Sequence, residues 1–134
     1  MRMALSVLVC LLAGAGSAYA VGPKLDCNNA QTQSDMNQCA ADDLANADKA
    51  LNAQWKLTRA VLVDADTNLD AAQKGGEKAL LKAQRAWIDY RDGQCEAEGF
   101  SVRGGSMEPM MVASCKARLT EVRTKELKAM AEPQ

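Results

Sequence analysis

The chain has 134 residues with 16 basic and 17 acidic side chains, five cysteines, no histidine and only 4% aromatic content. So even a charge balance excludes the basic footprint that nucleic acid or a polybasic membrane contact requires. The missing histidine excludes Ser-His-Asp and Cys-His triads and removes the commonest general base.

Residues 1–20 read as a cleavable export signal. Arg2 supplies a positive start, Leu5 to Ala13 form a short apolar run, and Ala18-Tyr19-Ala20 is a small-x-small cleavage site. The run is far shorter than the ~20 residues needed to cross a bilayer. Cys10 lies inside it, but Val9 before it is not small and few apolar residues precede it, so a lipid anchor on Cys10 is not expected. Cleavage after Ala20 leaves residues 21–134 as a single domain of 114 residues, periplasmic or secreted. Loss of Arg2 lowers the formal charge from −1 to −2.

Gly22-Pro23 marks an irregular lead-in ending near Cys27. From Thr32 the apolar residues take helical spacing: Met36, Ala40, Leu44, Ala47, Leu51, Trp55, Thr58 and Leu62 recur every three or four positions. Thr32 or Ser34 suits the cap, and Asp35 suits the positive end of the helix dipole. The spacing predicts a first helix over 32–63. The polar stretch 64–76 reads as a connection, with Gly75-Gly76 as the strongest breaker. A second helix is expected over 77–98, with Leu80, Ala83, Trp87 and either Tyr90 or Arg91 on one face and Gly99 as its terminator. A glycine-bearing loop around Gly104-Gly105 leads into a third helix from Ser106 or Glu108 to Met130. Its expected stripe is Met111, Cys115, Leu119, Val122 and Glu126 or Leu127. Three amphipathic helices pack most simply as an all-α antiparallel bundle.

Setting Cys10 aside leaves Cys27, Cys39, Cys95 and Cys115, an even count in a small exported domain, which reads as two disulfides with three possible connectivities. No C-x-x-C spacing and no histidine support a metal site, so neither a metal nor another cofactor is expected. Bundle geometry favours the local pairs Cys27–Cys39 and Cys95–Cys115, since a folded-back lead-in and a short antiparallel connection bring each pair together. Crossed pairings remain open at this level.

Chemistry-bearing residues are few. Asp64 to Asp70 superficially matches a calcium loop, but Leu69 replaces the glycine at its sixth position and Gly75 the glutamate at its twelfth. Asp42-Asp43 and Asp89/Asp92 read as solvated charge rather than catalytic carboxylates. The densest segment is AQRAWIDYRDGQC, Ala83 to Cys95. Tyr90, Arg91 and Asp92 form a candidate partner-binding patch, because Tyr, Trp and Arg dominate protein interfaces. The plainer reading makes Trp87, like Trp55, a structural core filler. It makes Arg91 a partly buried guanidinium held by a carboxylate such as Asp48. Methionines of the GGSMEPMM segment, Gly104 to Met111, read as filling for the end of the bundle.

DCNNAQTQSDMNQC (26–39), ADKALN (47–52), LLKAQRAWIDYRDGQC (80–95) and SCKARLTEVRTKEL (114–127) together resemble the LprI-type lysozyme-inhibitor domain family. The resemblance implies an exported helical domain whose partner is a protein and which binds and inhibits lysozyme or a related peptidoglycan-cleaving enzyme. The nearly empty inventory of general bases and nucleophiles argues against an enzyme. The alternative is a structural or accessory envelope protein that binds another partner.

Overall fold

In the computed structural model, which describes residues 25–132, every regular element is helical. The export signal expected at 1–20 lies outside the described residues. A short 3-10 turn, Cys27–Asn29, precedes three helices: α1 Gln33–Thr67, α2 Gly76–Gly99 and α3 Glu108–Ala131. A second 3-10 turn, Phe100–Val102, follows α2 directly. At 35 residues α1 spans about 52 Å.

Each boundary has a local cause. Thr32 Oγ1 accepts the amide of Asp35 at 3.1 Å and caps α1, with Asp35 in the first turn. The helix runs past Val63 to Thr67, four residues further than the apolar spacing predicts, because nothing in Asp64-Ala-Asp-Thr breaks it. Its exposed polar side chains are compatible with helix, and the break comes only at Asn68. The last turn of α1 also starts α2. The Asp66 carboxylate accepts the amides of Gly75, Gly76 and Glu77 at 3.0, 2.9 and 3.1 Å, satisfying three of the otherwise unpaired donors at the α2 N-terminus. Gly75 sits at φ 143°, a conformation open to glycine. A side chain on Gly76 would meet Asp66 Oδ1 at 3.2 Å.

Gly99 departs from its expected role. It does not adopt the left-handed conformation of a helix terminator; its φ is −68° and the chain continues into the 3-10 turn. Glycine is needed there for space, since a Cβ would lie 2.5 Å from Val112 Cγ2 on α3.

The helices run up, down and up. Asp48 on α1 meets Arg91 on α2, and Arg59 meets Glu77, so α1 and α2 are antiparallel. Gln84 and Glu98 of α2 meet Arg123 and Arg118 of α3, again antiparallel. α1 and α3 are therefore parallel, with the Asn37 amide donating to Ser106 O at one end and Thr58 Oγ1 donating to Leu127 O toward the other.

The apolar core is small: Leu51, Leu80 and Leu127 form its centre, with Trp55, Leu62 and Trp87 packed against it. The buried stripe of α1 follows the expected one, through Ala40, Ala47, Leu51 and Thr58. On α3 the buried face is rotated from expectation. Thr120, Arg123 and Leu127 face inward, whereas Val122 is 47% exposed.

Both disulfides are the local pairs. Cys27–Cys39 fastens the lead-in to the first turns of α1, and Cys95–Cys115 bridges α2 and α3. Both stand at the end of the bundle where α1 and α3 begin.

Candidate interaction surface

The block that looked richest in chemistry is divided between the inside and the outside of the bundle. Arg91 points between all three helices, its side chain 14% exposed. Nη1 donates to Asp48 Oδ1 of α1 at 3.0 Å and to Thr120 Oγ1 of α3 at 3.2 Å, and Nε donates to Asp92 Oδ1 at 3.0 Å. The guanidinium lies 5.1 Å from the Trp87 ring centroid, one helical turn back. Lys116 of α3 also reaches Asp92 at 3.1 Å. Arg91 is thus the hub of a polar clamp that joins all three helices beside a small apolar core. Burial pushes the Asp92 carboxyl upward, but hydrogen bonds and charge from Lys116 and Arg91 outweigh it and leave the group below the usual carboxylate range.

Tyr90, next to Arg91 in sequence, projects the other way and is 56% exposed. The two tryptophans are half-buried: Trp55 on α1 and Trp87 on α2 pack against the leucine core.

A second guanidinium, which the sequence reading did not single out, lies between α2 and α3. Arg123 donates through Nε to Gln84 Oε1 at 3.1 Å and through Nη1 to Glu126 Oε2 at 2.9 Å. Its Nη2 is buried without a partner among the described residues. No sequence signal marked it, because its partner Gln84 lies on another helix.

The calcium-like segment is accounted for by capping. Hydrogen bonds from the Gly75, Gly76 and Glu77 amides hold the Asp66 carboxyl below its ordinary range. Among the described residues no group of three or more potential metal ligands is assembled. Asp42, Asp43 and Asp89 are solvent-exposed.

The connection from α2 to α3 is well defined. The amide of Arg103 donates to Phe100 O at 3.2 Å, that of Gly105 to Val102 O at 3.0 Å and that of Glu108 to Gly105 O at 3.2 Å. Glu108 returns its carboxylate to the Gly104 amide at 2.6 Å. Phe100, the single phenylalanine of the chain, is 62% exposed. The Arg103 guanidinium stands 5.1 Å from its ring centroid.

A polar-clamped, doubly cross-linked three-helix bundle that leaves Tyr90 and Phe100 exposed defines a small stapled helical module of the kind found where disulfides persist, in oxidising compartments. None of its described helices is long and apolar enough to cross a membrane. The family model for lysozyme inhibitor LprI matches residues 26–127, and the chain belongs to that family. An uncharacterized protein of Rhizobium meliloti (strain 1021) is 50% identical, the match covering 98% of this chain and 97% of that protein. No solved structure matches the chain.

Proposed function

We propose that this domain is exported and binds and inhibits a lysozyme or a related peptidoglycan-cleaving enzyme. Membership of the lysozyme inhibitor LprI family, over residues 26–127, carries this reading. The architecture supports it. A bundle held by two disulfides and an internal guanidinium clamp loses little conformational freedom on binding, so more of the contact energy remains as affinity. The chain offers neither histidine nor, among the described residues, a free thiol, and the domain acts by occupying its partner, without turnover.

Within the Tyr90-Arg91-Asp92 segment, Tyr90 is the member proposed to touch the partner. Arg91 and Asp92 hold the helix that presents it. The test is titration of the oxidised mature domain into peptidoglycan lysis by lysozymes of several classes. Inhibition that saturates at one domain per enzyme is expected, and Tyr90→Ala should weaken it while leaving helical circular dichroism unchanged. No inhibition at large molar excess, with both disulfides intact, favours an accessory envelope protein with another partner.

A further inference from the structure

The α2–α3 connection has the attributes of an inserting loop. Its backbone is ordered by hydrogen bonds of its own and fixed to both flanking helices. The Cys95–Cys115 bridge ties the helices together behind it, and the Asn37 amide holds Ser106 O from α1 at 3.0 Å. Gly99, packed against Val112, sets the close approach from which the loop departs. On this frame Phe100 presents an apolar ring that no core contact requires, and Arg103 stacks on it. None of the ion pairs among the described residues involves Arg103, whose side chain is exposed. The guanidinium therefore reaches solvent uncompensated, already desolvated on one face by the ring.

Resting on the inhibitory reading above, we propose that the loop 100–107 enters the substrate cleft of the peptidoglycan-cleaving enzyme, with Arg103 facing the catalytic carboxylates and Phe100 against the sugar-binding wall. The chemistry is complementary. Enzymes that cleave glycosidic bonds characteristically carry two carboxylates flanking the bond, in a cleft shaped for sugar rings. An arginine meets a carboxylate through paired N–H donors, and aromatic and arginine anchors dominate inhibitory interfaces. Preorganisation of the loop spares the ordering cost that a mobile segment would incur.

The experiment compares Phe100→Ala, Arg103→Glu and Arg103→Lys with the unaltered oxidised domain, using lysozyme as the enzyme. Arg85→Ala, which removes an exposed cation of α2 that forms no ion pair, is the control. Both Phe100→Ala and Arg103→Glu should raise the inhibition constant at least about tenfold, the scale of an interface anchor, with thermal unfolding unchanged. Arg103→Lys should fall between, and Arg85→Ala should stay within about threefold. An N-acetylglucosamine oligosaccharide, which occupies the same cleft, should compete with the domain. If the unaltered domain inhibits but Phe100→Ala and Arg103→Glu do so equally well, or the saccharide does not compete, the loop assignment is overturned while inhibition stands. If the unaltered domain binds no lysozyme, both readings fall together.

Discussion

Replacing Arg91 with methionine tests whether the guanidinium clamp, rather than the leucine core, sets helix register. Methionine keeps the apolar stem against Trp87 and removes every polar contact. The two carboxylates it would abandon are partly exposed, Asp48 at 41% and Asp92 at 46%, so solvent screening limits each pair to about 0.5 kcal/mol. Thr120 is fully buried, and loss of a charge-assisted hydrogen bond to its hydroxyl costs about 1.5 kcal/mol. The stacking on Trp87 adds about 1 kcal/mol. Together these give a loss of about 3.5 kcal/mol, which moves a urea midpoint by about 2 M for a domain of this size. Unfolding followed by tryptophan fluorescence and far-ultraviolet circular dichroism reads it directly. Arg91→Lys keeps charge but not the fork, and should recover roughly half of the loss. A double-mutant cycle with Asp48→Asn should return a coupling of about 0.5 kcal/mol. A loss below about 1 kcal/mol for the methionine variant, or zero coupling to Asp48, refutes the clamp.

Two further outcomes concern the ends of the bundle. Asp66→Ala removes the acceptor for three α2 amides and should lower Tm by several degrees at neutral pH, measured by calorimetry. Because the folded-state carboxyls of Asp66 and Asp92 both titrate below their ordinary range, their contribution is complete above the unfolded value and is lost as pH falls through the folded one. The deficit of Asp66→Ala should therefore shrink below about pH 4; a pH-independent deficit contradicts the capping role. Replacing Cys95 and Cys115 together by alanine opens a loop with a sequence separation of 20 and should cost about 3 kcal/mol in denaturant unfolding, while non-reducing peptide mapping of the parent chain should link those two cysteines.

Periodicity alone located the three helices and most of the α1 stripe, since Ala40, Ala47, Leu51 and Thr58 recur at three- and four-residue spacing and are all buried. The local disulfides were the favoured pairing, Cys27–Cys39 from a folded-back lead-in and Cys95–Cys115 from the short antiparallel connection, and both form. Periodicity misjudged the C-terminal end of α1, where a polar run was equated with a connection although exposed polar residues do not oppose helix. It also misjudged α3, where Val122 was placed inward on hydropathy. The actual inward residue, Arg123, is stabilised by Gln84 and Glu126, and Gln84 lies 39 positions away. Buried charge is decided by partners on other helices, which a single strand of sequence does not display. The Arg91–Asp48 contact was legible only as one alternative for Arg91, and the Asp66 cap was hidden behind a motif of similar composition. Phe100 and Arg103 carried no signal of their own, because exposure and missing ion partners are properties of the folded chain.

Each cross-link lies wholly on one side of residue 74, one before it and the other after it. Cys27–Cys39 closes a loop wholly within the lead-in and α1, and Cys95–Cys115 one wholly within α2 and α3, so no covalent bridge spans the α1–α2 connection. The stretch 71–74 is exposed, and it ends at Lys74, a residue open to trypsin-like proteases. One scission there would leave two fragments, an α1 piece and an α2–α3 hairpin, joined only by non-covalent packing. Dissociation would then depend on dilution, and the oxidised domain would have a single point of disassembly that its disulfides do not protect.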